Sequence, residues 1–137
     1  MKTIQLQLDF RSGSPIYLQI VEQVRRLVIS GELQPGDQLP TVRQLAAELR
    51  VNFNTVARAY RMLDEARLIS TQQGRGTYIL DQTVFDLDEK IKQASLDVRL
   101  RKVLSSLLNE GYTREEILAE LKRIVQTNDF DTHVSEE

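Results

Sequence analysis

The sequence predicts a mainly α-helical chain that carries one small β-hairpin and ends in a helical hairpin. Three observations point to it. Apolar residues recur at helical spacing in several separate stretches, two of the short helices lie about three residues apart, and two β-favouring runs are split by Gly74, Arg75 and Gly76. With 137 residues, 41% of them hydrophobic, the chain can bury a core.

Taken in order, Ile4, Leu6, Leu8 and Phe10 alternate with polar residues, which predicts a half-buried strand or an extended arm over residues 1–12. Ser14 and Pro15 fit an N-cap and first helical position, and Ile16, Ile20, Val24, Leu27 and Val28 then follow at helical spacing until Gly31 ends the run. Pro35, Gly36, Asp37 and Pro40 are turn chemistry. Thr41 with Gln44 forms a capping-box pattern for a short helix through Leu45, Ala46 and Leu49. Asn52 caps a third helix whose core stripe is Val56, Ala59, Tyr60 and Leu63. Leu68 to Gln73 and Thr77 to Leu80 then read as a hairpin with glycines at its tip. Helix, helix-turn-helix and hairpin together describe a winged helix-turn-helix domain over residues 1–80.

That domain has the side chains that reading a duplex requires. Base edges in the major groove are read by groups such as Arg on guanine and Asn on adenine, while separate donors hold the phosphates in register. Asn54, Arg58 and Arg61 fall opposite the core stripe of the third helix, with Thr55 at its edge; Asn54, Thr55 and Arg58 suit bases and Arg61 suits a phosphate. Arg43 opens the second helix, and Arg75 stands between two glycines, a geometry suited to phosphate or a narrow minor groove. Residues 1–80 carry ten Lys or Arg against seven Asp or Glu, whereas residues 81–137 carry eight against thirteen, so the basic half is the one that would face an anionic partner.

Leu39-Pro40-Thr41-Val42-Arg43, Leu45-Ala46, the run Val51 to Tyr60, and Gln73-Gly74-Arg75-Gly76-Thr77-Tyr78 together resemble the GntR family of bacterial transcription regulators, over residues 10–80. Asn52, Asn54 and Thr55 before Val56 and Ala57-Arg58-Ala59-Tyr60 look like its YtrA subfamily, although family members often carry Arg where this chain has Phe53 and Ala57. The resemblance implies a double-stranded DNA operator as partner, contacts from Arg43, Asn52, Asn54, Thr55, Arg58, Arg61, Gly74, Arg75, Gly76 and Thr77, repression of a promoter, and an unidentified small-molecule effector.

Residues 81–137 predict a helical dimerisation region. A long helix should run from near Thr83 to just before Gly111, with Val84, Leu87, Ile91, Ala94 and Val98 on one face and Leu96, Leu100, Val103, Leu104 and Leu107 on nearly the opposite one. Thr113 and Glu116 form a second capping box, and the last helix buries Ile117, Leu118, Leu121, Ile124 and Val125 on one stripe. One short helix cannot cover two faces, so a homodimer is expected, held through Leu87, Ile91, Val98, Leu100, Val103, Leu104, Leu107, Ile117, Leu121 and Ile124. The competing way to cover a face is for the long helix to pack back on its own winged-helix domain. Asn128 to Glu137 reads as a frayed acidic tail.

With no Cys and one His, His133 in that tail, there is no thiolate chemistry and no histidine-rich metal site. No glycine-rich phosphate loop precedes a helix, so no catalytic residues, metal or cofactor are expected. No apolar run approaches the roughly 18 residues of a membrane span, which predicts a cytoplasmic protein with no membrane partner. The alternative function is a winged-helix interaction module that binds an acidic partner protein through the same basic face.

Overall fold

The computed structural model describes residues 3–80 and 84–127. Its elements are α1 (Ile16–Ser30), β1 (Gln38–Leu39), α2 (Val42–Leu49), α3 (Phe53–Glu65), β2 (Ile69–Gln72), β3 (Gly76–Ile79), α4 (Phe85–Asn109) and α5 (Arg114–Thr127). This is the expected winged helix with C-terminal helices. The chain divides into two compact units, Met1–Leu96 and Asp97–Glu137.

In the first unit α3 packs against both α1 and α2, and Leu18, Ile20, Val21 and Val24 of α1, Leu45 of α2 and Val56, Ala59 and Leu63 of α3 are buried in a core that also holds Leu39, Leu68, Ile69 and Ile79. The sheet has strand order β1-β3-β2, antiparallel throughout. β1 is a two-residue strand, pairing Gln38 with Tyr78 and Leu39 with Thr77, where the sequence showed only turn chemistry. It forms because the turn before it is locked to the wing: Gly36 N donates to the Ile79 carbonyl at 2.8 Å, and Ile79 N to the Asp37 carbonyl at 2.9 Å.

The arm is extended but pairs with no strand. Two glutamines of α1 take the place of one, because a side-chain amide offers the same donor and acceptor as a peptide. Gln7 exchanges two 2.7 Å bonds with the Gln23 amide, and Asp9 exchanges two 2.8 Å bonds with the Gln19 amide. Ile4 is buried, whereas Phe10 sits in the following turn and is 69% exposed, so the alternating pattern stops short of it. The helix start also differs: Pro15 occupies the cap position with no side-chain cap, and the Ser14 carbonyl accepts from Gln19 Nε2 at 2.9 Å.

Tyr60 ties α3 to the turn before α2. Its buried hydroxyl donates to the Pro40 carbonyl at 2.6 Å, and burial, with the charge of Glu48 adding to it, pushes its pKa well above the ordinary tyrosine range. A group with a raised folded pKa supports the fold while protonated. That support is complete below about pH 10, where an unfolded tyrosine titrates, and is lost as pH rises further. Tyr60→Phe is expected to cost about 1–2 kcal/mol at neutral pH. It should also flatten the alkaline fall in melting temperature, and thermal melts at neutral and alkaline pH that show the same slope as the parent would remove Tyr60 as its cause.

The first turns of α4 belong to this unit. Leu87 is fully buried, Asp88 pairs with Arg25 of α1, and Lys90 lies 3.7 Å from Glu65 of α3. Leu87 was expected to hold a second chain; it is covered by its own chain instead, as the fold-back alternative would have it, and leaves the set of dimer candidates. The two ion pairs are partly solvated and contribute at most about 1 kcal/mol each.

In the second unit, Thr113 and Glu116 make the expected capping box, with both bonds at 3.1 Å. The apolar stripe behind it is not buried as expected: α5 has no buried residue, and Leu118, Leu121 and Val125 are all exposed, as are Leu100 and Val103 of α4. Val98, Leu104, Leu107, Ile117 and Ile124 are half-buried, as is Ile91 in the first unit. The helix start near Thr83 and the tail with His133 lie outside the described residues.

Candidate nucleic-acid interface

The helix-turn-helix is set by local hydrogen bonds. Gln44 N donates to Thr41 Oγ1 at 3.1 Å while Thr41 N donates to Gln44 Oε1 at 2.9 Å, so α2 begins with a closed capping box and Arg43 is exposed in its first turn. α2 ends with Arg50 in the left-handed region (φ 57°), and Val51 N reaches back to the Ala46 carbonyl at 3.1 Å. Asn52 then caps α3, its Oδ1 accepting from Asn54 N at 2.7 Å. Val56, Ala59, Tyr60 and Leu63 are buried as expected, which turns Asn54, Arg58 and Arg61 outward and leaves Thr55 half-buried at the edge. Asn52 is exposed too, although its side-chain oxygen is committed to the cap.

Arg58 is not a free side chain. Its guanidinium lies over the Tyr17 ring, 3.9 Å from the centroid. Stacking of this kind leaves the N–H edge of the guanidinium available while restricting where it can point. Tyr17 is itself buried in the core, so its ring is a fixed platform. No periodicity in α1 marks Tyr17 for this role, because the contact joins residues 41 positions apart in the chain.

The wing is pinned from both sides of its tip. Arg75 N donates to the Gln72 carbonyl at 2.9 Å, and the Arg75 carbonyl accepts from Tyr78 Oη at 2.7 Å and from Gln38 Nε2 at 3.2 Å. With its backbone held by these bonds, Arg75 keeps an exposed side chain at the tip. Gln38 and Tyr78 were missed in the sequence, since Gln38 reaches the tip only through β1. Gly74 and Gly76 have φ of 77° and 113°, as a glycine-tipped hairpin requires. A Cβ on Gly76 would fall 2.3 Å from Gln38 Nε2. Gly76→Ala is therefore expected to cost about 1–3 kcal/mol in a denaturant melt, from positive-φ strain and a displaced Gln38; stability equal to the parent would show that the wing relaxes freely. Thr77 does not belong with the exposed set. It is buried, and its Oγ1 lies 3.2 Å from that of Thr71 across the hairpin, so it shapes the wing from inside.

The structure thus carries Arg43, Asn54, Arg58, Arg61 and Arg75 as exposed polar side chains on α2, α3 and the wing of one compact unit. Among the described residues, no group of His, Cys, Asp or Glu could hold a metal ion, and no helix is long and apolar enough to cross a membrane.

Comparison with known proteins agrees with this architecture. The family described as bacterial regulatory proteins, gntR family, matches residues 16–79. The HTH-type transcriptional repressor YtrA of Bacillus subtilis is 38% identical over an alignment of 125 positions that covers 85% of this chain and 95% of the relative. Among solved structures, YtrA from Sulfolobus acidocaldarius, a GntR-family transcription factor, superposes with a TM-score of 0.54 at 34% identity, covering 89% of this chain and 97% of that one. A transcriptional antiterminator from Listeria monocytogenes gives 0.58 at 31% identity, covering 92% and 93%. A winged helix with an outward polar α3, matched over nearly its whole length by such relatives, places the chain in the GntR family as a YtrA-like DNA-binding transcription regulator.

Proposed function

We propose that the chain is a homodimeric repressor that occupies an inverted-repeat operator, one half-site per subunit. Residues 1–80 with the first turns of α4 form the DNA-binding head, and the helices from Asp97 onward form the dimer contact. In each head Asn54, Thr55 and Arg58 read base edges, Arg43 and Arg61 meet phosphates, and the wing sets Arg75 against phosphate or minor groove. The observation that carries this reading is the set of large aliphatic side chains Leu100, Val103, Leu118, Leu121 and Val125, all exposed on one helical unit whose last helix has no buried residue, which a second copy of the chain would cover. Two-fold symmetry in the protein calls for two-fold symmetry in the site. Repression is carried over from the B. subtilis relative, whose name states it.

Footprinting on the DNA upstream of its own gene, with sedimentation of the free protein and of the complex, tests the reading. The expected result is a protected palindrome holding two chains, bound far more tightly than scrambled duplex, with an affinity that falls steeply with salt as counterions are released. A monomer at micromolar concentration, or equal binding to scrambled duplex, overturns it. Salt-sensitive binding to an acidic protein with no preference for a DNA sequence would favour an interaction module instead.

A further inference from the structure

Phe53 is the first residue of α3 and is 49% exposed, an aromatic ring left in water between the capping Asn52 and the outward Asn54. About half of its surface is left uncovered, so the core holds only part of it. The core stripe of α3 begins three residues later at Val56, and the helix start is secured by the Asn52 side chain. Ala57, one turn further along, is too short to cover the ring, so Phe53 and Ala57 make an apolar row beside the polar row of Asn54, Arg58 and Arg61. On a helix that enters the major groove by its N-terminal end, the first residue is among those nearest the base edges. A phenyl ring there can neither donate nor accept a hydrogen bond to guanine, adenine or cytosine. The apolar group that the major-groove edge of a base pair offers is the C5-methyl of thymine, and burying it against Phe removes both surfaces from water.

We infer that Phe53 is a specificity-determining residue that selects a thymine in each half-site by packing on its C5-methyl group. The inference rests on α3 being the base-reading helix. Arg58 and Asn54 read hydrogen-bonding edges, and Phe53 reads a methyl.

The test uses the full chain. A preferred duplex is selected from a random pool and remade with deoxyuridine at each thymine in turn, which removes the methyl and leaves the Watson–Crick pairing intact. For the parent, uracil at one thymine of a half-site is expected to weaken binding about 4-fold, and at the equivalent thymines of both half-sites roughly 16-fold, the loss for exposing one methyl and then two. Phe53→Ala should bind the thymine and uracil duplexes equally. Phe53→Leu, which keeps apolar bulk, should retain part of the difference. A parent that selects a sequence yet tolerates uracil at every position, or a Phe53→Ala variant that loses as much on uracil as the parent does, overturns the inference alone. A parent that selects no sequence overturns the base-reading role of α3 as well.

Discussion

Leu121→Asp is expected to leave the chain folded and monomeric at micromolar concentration, and to weaken binding to a two-half-site operator by about 10²- to 10⁴-fold, the range lost when two linked binding modules become independent. The reasoning begins with exposure: Leu121 is 46% exposed on a helix with no buried residue, so a carboxylate there meets water in the free chain and costs its fold little. In a two-fold dimer built on this stripe, the same substitution places two carboxylates at the contact, where each must be desolvated without a partner. Sedimentation velocity reads the oligomeric state, and titration of a palindromic duplex against a single half-site reads the avidity. A variant that remains dimeric with unchanged operator affinity would move the contact off α5. Leu87→Asp makes the useful contrast, because Leu87 is covered by its own chain and its loss should lower the melting temperature instead.

What the sequence disclosed and what it hid divide along the range of the interactions. Both capping boxes, Thr41 with Gln44 and Thr113 with Glu116, and the Asn52 cap are bonds between residues at most three positions apart, so spacing alone exposes them. The stripe Val56, Ala59, Tyr60 and Leu63 is similarly local, since the helical period sets it, and its burial puts Asn54, Arg58 and Arg61 outside. By contrast, β1 is too short to have a pattern and exists through Thr77 and Tyr78 nearly forty residues away. The fate of Leu87 was illegible for a related reason: periodicity shows that a helix face must be covered, but not by which surface. Two apolar faces on α4 were apparent, while the division between a first part docked on its own head and later turns left uncovered needed the tertiary contacts of Arg25 and Glu65. Thr77 shows the limit inside a motif, where a residue in a matching run turned out to face Thr71 across the hairpin.

If Arg58 reads a base as proposed, its contact with Tyr17 separates the readout residue from the residue that aims it. A bidentate Arg on guanine is worth about 1–3 kcal/mol of discrimination, so Arg58→Ala should weaken each half-site by roughly 5- to 150-fold and relax the preference at one base pair. Tyr17 is buried, which leaves its ring little surface to offer a duplex directly. Its ring lies 3.9 Å from the guanidinium carbon and restricts the orientations that Arg58 would otherwise have to give up on binding. Tyr17→Leu is therefore expected to weaken a half-site by about 0.5–1 kcal/mol, the scale of an exposed cation–π contact, while Tyr17→Phe keeps the platform and the affinity. The deciding measurement is the double-mutant cycle, with operator affinities measured at one salt concentration. If Tyr17 acts by aiming Arg58, Tyr17→Leu costs nothing further once Arg58 is Ala; if it acts only by filling the core, it costs the same in both backgrounds and the aiming role is lost.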